Sequence, residues 1–123
     1  MQVKFYRNKT NEDVTMSLLE RSDDNLVELL PNTSDGAKEK HVPVFKREGN
    51  VLHVEVGSVL HPMTDAHYID FICVVTNKKA DLKHLERTGK PAADFDLAED
   101  EKIIAIYEYC NLHGLWANKV NEK

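Results

Sequence analysis

Val51-Leu52-His53-Val54-Glu55-Val56 alternates without a break. Leu52, Val54 and Val56 fall on one face and His53 and Glu55 on the other, the two-residue period of a half-buried strand. Just ahead of it, Arg47-Glu48-Gly49-Asn50 is turn chemistry, so residues 41–46 are read as the extended partner of a hairpin. Pro43 supports this by pushing Val42 out of the helical region, and His41 is then expected to begin a strand. Further out, residues 68–76 and 103–109 are apolar on both faces, as central strands of a sandwich are. Residues 3–6, 14–19 and 25–30 read as three short strands, whereas residues 82–100 read as irregular, with a turn at Gly89-Lys90-Pro91 and one short helical turn around His84. Pro31-Asn32-Thr33-Ser34-Asp35-Gly36 is linker chemistry. It divides the chain into a small N-terminal β unit, 1–37, and a main unit, 38–123. Seven or so short strands without a long helix predict an all-β, antiparallel β-sandwich.

The chain has 123 residues, with 16 Lys plus Arg against 21 Asp plus Glu and a net charge of −5. No window holds a dense basic cluster, which excludes a nucleic-acid or membrane-surface partner, since both need a basic face to meet phosphate. The same sign disfavours an anionic substrate at first sight. Hydrophobic content of 41% suffices for a packed core, and no apolar run approaches the ~20 residues of a membrane span. The first ten residues lack the apolar stretch of a signal peptide, so a cytoplasmic location is expected. In a reducing compartment the two cysteines, Cys73 and Cys110, are expected to be free or metal-bound. A core disulfide of the immunoglobulin kind would place Trp between them, but Trp116 follows both.

Three segments carry soft or borderline metal ligands. Cys110-Asn111-Leu112-His113-Gly114 follows an apolar strand, and its Cys-x-x-His spacing lets one turn bring both side chains onto one ion. His61-Pro62-Met63-Thr64-Asp65-Ala66-His67 is the second. A helix would turn its two imidazoles about 240° apart, so only a folded loop lets them converge. His41, after Glu39-Lys40, is the fifth group. His53 and His84 read as surface residues, and Cys73, inside an apolar strand, as a buried inert thiol.

Glu39-Lys40-His41-Val42-Pro43-Val44, then His61-Pro62-Met63 with His67-Tyr68-Ile69, then Tyr109-Cys110-Asn111-Leu112-His113-Gly114-Leu115-Trp116 resemble the signature blocks of the superoxide reductase family, also called desulfoferrodoxin or neelaredoxin. The resemblance implies one iron ion in an immunoglobulin-like β-sandwich, with His41, His61, His67 and His113 equatorial and the Cys110 thiolate axial. It further implies that Glu39 closes the sixth position on oxidised iron, that Lys40 attracts superoxide and assists its protonation, that rubredoxin is the electron donor, and that the protein is a homo-oligomer. Longer members of the family carry a second, four-cysteine iron in an N-terminal domain. No cysteine precedes Cys73, so that second iron cannot be built here, which leaves packing or dimerisation as the N-terminal unit's role. Phe71 stands where many members have Trp.

The donor set supports the same chemistry independently. Five N/S ligands exceed the four of a structural zinc, and imidazoles with one thiolate suit a divalent redox metal with an open position for substrate. A blue-copper electron carrier is the main rival, but its Met commonly follows the Cys and His on one loop, and no Met follows His113. A structural zinc module is the third reading, and it leaves one ligand and the Glu39-Lys40 pair without a purpose. The reaction implied is one-electron reduction of superoxide to hydrogen peroxide, the iron being re-reduced by an external donor.

Overall fold

A computed structural model describes residues 2–120. It is built almost wholly of antiparallel strands. Three strands at the N-terminus, β1 (Lys4–Asn8), β2 (Val14–Ser17) and β3 (Leu26–Leu29), form a sheet in the order β2-β1-β3. A single helical turn, α1 (Lys38–His41), leads into β4 (Pro43–Glu48), which pairs with β5 (Val51–Val56) through the turn at Gly49-Asn50. β6 (Ile69–Thr76), β7 (Ala80–His84), β8 (Ala92–Asp96), β9 (Ile103–Cys110) and β10 (Gly114–Lys119) complete the chain. They build a four-stranded sheet, β10-β9-β6-β7, that faces the three-stranded sheet β4-β5-β8. Among the described residues no helix is long and apolar enough to cross a membrane.

The expected all-β antiparallel sandwich is therefore what the chain forms. Leu52, Val54 and Val56 of β5 are buried and meet Ile69, Ile72, Ile106 and Cys110 from the facing sheet in one core cluster. The other face of the four-stranded sheet is covered by the N-terminal sheet. Phe5 stacks on Phe71 with centroids 5.6 Å apart and tilts onto Tyr107 at 5.0 Å, in a second cluster that includes Cys73, Val75 and Leu115. β6 and β9 thus lie in the middle of three layers, which is why they are apolar on both faces.

Three local expectations are corrected. His41 does not begin a strand, because it closes α1. Pro43 constrains only the residue before it, and Val42 is indeed extended (φ −68°, ψ 120°). Upstream the backbone is free to coil, and the Val42 N–H donates to Lys38 O at 2.9 Å. Residues 82–100 are irregular over 85–91 and 97–100, but the end of β7 and the whole of β8 also fall within them, and His84 sits in β7 rather than in a helical turn. Both strands are short and largely solvated, so they lack the apolar runs that mark β6 and β9. β10 is a further strand, beyond those the sequence pattern marks. It makes up the sheet edge beside β9 and is entered directly from the Cys110–His113 turn.

Candidate metal centre

Three local devices deliver the five expected side chains. Cys110 is the last residue of β9, and a three-residue turn carries His113 before Gly114, at φ +81°, reverses the chain into β10. A non-glycine residue at that φ would be strained. His61 follows a turn after β5, and residues 61–67 form the folded loop that convergence with His67 requires. The Thr64 N–H donates to His67 O and the His67 N–H to Thr64 O, at 2.9 and 3.2 Å. His41 is brought in by α1, which is tied to the turn that precedes His61 because the Val59 N–H donates to Glu39 O at 2.9 Å.

The four imidazoles close a circuit. Ring centroids lie 4.8 Å apart for His41 and His61, 4.5 Å for His61 and His67, 5.0 Å for His67 and His113, and 4.8 Å for His113 and His41. Neighbouring planes are tilted by 59° to 79°. Cys110 Sγ lies against two of them, 3.4 Å from His61 Nε2 and 3.8 Å from His113 Nδ1. Ligand atoms of His41, His61, Cys110 and His113 all lie within 4.8 Å of one another, and His67 closes the ring on the more exposed side.

Electrostatics fit a cation at the centre. Burial first, then the other rings and Lys40, lowers the His41 pKa to about 4. Burial is also the main cause of the lowered values at His61 and His67. His61 Nδ1 lies 2.6 Å from Pro62 O. A carbonyl only accepts, so that nitrogen carries the proton and Nε2 turns its lone pair inward. Burial raises the Cys110 pKa, and backbone N–H groups of Leu112 and His113 oppose that rise. His67 Nε2 and His41 Nδ1 are buried with no hydrogen-bond partner among the described residues. Imidazoles packed around a thiol, two of them with a ring nitrogen left unpartnered, are a donor set that a soft or borderline divalent metal would satisfy.

The site also has supports to which the sequence reading gave no role. Trp116 stacks on His41, with centroids 4.9 Å apart and planes 13° from parallel, and its Nε1–H donates to His113 O at 3.0 Å. Asn111 pins the neighbouring loop: its Oδ1 accepts the Tyr68 N–H at 2.9 Å and its Nδ2 donates to Ala66 O at 3.0 Å. Glu108, two residues before Cys110, is fully buried. Its signal was present as a charge inside an apolar strand, on the same face as Cys110. The surface and inert readings hold elsewhere. His53 Nδ1 lies 2.7 Å from Asp94 on the outer sheet face, His84 is exposed, and both cysteines are free. Burial pushes the Cys73 thiol up to about 12.

The family model described as desulfoferrodoxin matches residues 33–119, which contain all five groups. The chain belongs to the desulfoferrodoxin family. Among curated desulfoferrodoxins it is 49% identical to that of Nitratidesulfovibrio vulgaris over 84 residues, which cover 68% of this chain and 65% of the relative. It is 46% identical to the desulfoferrodoxin homolog of Archaeoglobus fulgidus over 84 residues, 68% of this chain and 66% of the relative. The matches thus span about two thirds of these desulfoferrodoxins' own length. The crystal structure of the superoxide reductase from Treponema pallidum superposes with a TM-score of 0.83 at 37% identity, covering 97% of this chain and 100% of that one. That likeness extends beyond the desulfoferrodoxin model's span and takes in the N-terminal sheet. Relatives and structural neighbours that bear the name superoxide reductase are oxidoreductases.

Proposed function

We propose that this protein is a superoxide reductase, reducing superoxide to hydrogen peroxide at one non-haem iron held by His41, His61, His67, His113 and Cys110. The observation that carries the reading is the closed circuit of four imidazoles with one buried cysteine sulfur. A blue-copper site would use two imidazoles and a structural zinc four ligands in all, so neither accounts for the fifth group. Iron bound there supplies the single electron that, with two protons, takes superoxide to hydrogen peroxide. The chain's own residues do the rest. Cys110, fully buried, would hold the ion through its thiolate and donate charge to it. His41, His61 and His67, whose pKa values burial lowers, accept a cation without first losing protons at neutral pH. Lys40, exposed on the turn that ends in His41, draws the anion toward the site and assists its protonation. Glu39, beside it, supplies the carboxylate that closes the site after turnover.

An external donor, rubredoxin by family resemblance, restores the electron. The proposed division places the iron site in residues 38–123, with residues 1–37 as a small unit without metal-binding cysteines, in a cytoplasmic homo-oligomer. Anaerobically purified protein is expected to hold one iron per chain, to develop a visible thiolate-to-ferric band on oxidation, and to consume superoxide without evolving oxygen. Cys110→Ser should abolish the band and the activity, whereas Cys73→Ser should keep both. Stoichiometric zinc with no visible band, or full activity in Cys110→Ser, would overturn the reading.

A further inference from the structure

We infer that Glu108 is a positioning residue for the metal centre: its carboxyl accepts the Nδ1–H of His41 and so presents Nε2 of that ring to the metal. The inference rests on the reading of the cluster as a metal site. Alternation along β9 places Glu108 and Cys110 on one face, toward the core between the two sheets. Glu108 is 0% exposed, and neither carboxyl oxygen has a hydrogen-bond partner among the described residues. Its Oε2 lies 3.7 Å from His41 Nδ1, which is equally buried and equally without a hydrogen bond. Two orphaned groups therefore face each other, one directly behind a metal ligand.

The chemistry of imidazole says why. A neutral ring that gives its Nε2 lone pair to a metal carries its proton on Nδ1, and that N–H needs an acceptor. His61 meets the requirement with a backbone carbonyl, Pro62 O at 2.6 Å. His41 has no such carbonyl, and Glu108 is the acceptor recorded within reach. Trp116, stacked nearly parallel on the ring, fixes its plane, so Nδ1 points along a set direction. A carboxylic acid accepts through its carbonyl oxygen and a carboxylate through either oxygen, so the role holds in both protonation states. At 3.7 Å the contact is longer than a hydrogen bond, and it is expected to close when a metal fixes the ring.

A buried unpaired carboxyl lowers the stability of the metal-free fold. Its removal should therefore move fold stability and metal affinity in opposite directions, which a merely structural residue would not do. The test compares metal-free wild type, Glu108→Leu and Glu108→Gln, each titrated anaerobically with cobalt(II) and followed by its thiolate band. Glu108→Leu is expected to weaken cobalt binding by roughly ten- to a hundredfold while unfolding at higher denaturant without metal. Glu108→Gln, whose amide oxygen still accepts, is expected to stay close to wild type. In the zinc-loaded, nitrogen-15-labelled protein the His41 Nδ1–H should exchange slowly and resonate downfield, shift in Glu108→Gln, and lose its protection in Glu108→Leu. Unchanged cobalt affinity in Glu108→Leu, or a His41 Nδ1–H resonance indifferent to either substitution, would overturn the inference. Failure of the wild type to bind cobalt through a thiolate would instead overturn the metal site on which it rests.

Discussion

At the scale of single residues the metal-free protein is governed by groups that resist taking their usual charge. His41 is held neutral down to about pH 4, whereas in the unfolded chain it takes up a proton near pH 6.5. Between those values the unfolded state binds the extra proton, so stability falls as the pH falls. His41 alone accounts for about 3 kcal/mol across that window, and His61 and His67 act in the same direction. Glu108 has the opposite sign, because burial raises its pKa well above 4.5. Its contribution is fully present below pH 4.5 and is lost as pH rises through the folded value. Although His41 and Glu108 lie at ion-pair distance, 3.7 Å, burial disfavours charge on both, so the metal-free contact is one between neutral groups. Denaturant unfolding in the presence of a chelator, repeated from pH 7 to pH 4, should show the midpoint falling across the window. In Glu108→Leu, which lacks that opposing group, the fall should be steeper and start from a higher stability. A wild-type midpoint flat between pH 6.5 and 4 would show that the rings are protonated in the fold.

At the scale of elements, the centre depends on how α1 is held against the turn that precedes His61. Gly57 is the contact point, at φ +84°. A Cβ there would come within 2.5 Å of Val59 O, 2.6 Å of Glu39 O and 2.7 Å of the Lys40 carbonyl carbon, all of them backbone. Gly57→Ala should therefore cost about 1–3 kcal/mol in backbone strain and push α1 away from the loop. The separation of His41 from His61 would grow and metal affinity would fall with stability. Wild-type cobalt affinity in Gly57→Ala would show that the two segments move together and that the spacing is not set there. This coupling marks where the sequence was legible. The clean alternation of β5 and the two-sided apolar runs of β6 and β9 were readable because burial imprints a period on a strand. The ligand loops were readable because thiol and imidazole are chemically distinctive. α1 was hidden because Pro43 speaks only for Val42, and β7 and β8 because solvated edge strands carry little apolar pattern. Asn32 lies in a stretch with linker chemistry, yet its side chain exchanges two hydrogen bonds with the Ala117 backbone, at 3.2 and 2.9 Å, and fastens the segment between the N-terminal sheet and α1 to β10. Such long-range pairing leaves no local trace in a sequence.

At the scale of the molecule, the net charge of −5 and the proposed anionic substrate are reconciled by distance. At physiological salt an exposed charge is screened over about 8 Å, so the surface as a whole has little say at the mouth of one small site. Local charge decides. Lys40 is close enough for its ammonium to lower the pKa of His41, His61 and His67, and the same field that disfavours a proton on those rings attracts an anion approaching them. A divalent cation with one thiolate adds a further net positive charge. Steering of this kind acts on the association rate and fades with added salt. Lys40→Ile should therefore slow superoxide capture severalfold at low ionic strength, with the deficit shrinking as salt is added. The iron content and the visible spectrum should stay as in the wild type, because Lys40 is not among the five proposed ligands. Lys40→Arg, which keeps the charge, should retain most of the rate. Pulse-radiolysis kinetics at several salt concentrations make the comparison. If capture by Lys40→Ile matched the wild type at low salt, the attraction would have to come from the metal alone, and the acidic surface would be without influence in either direction.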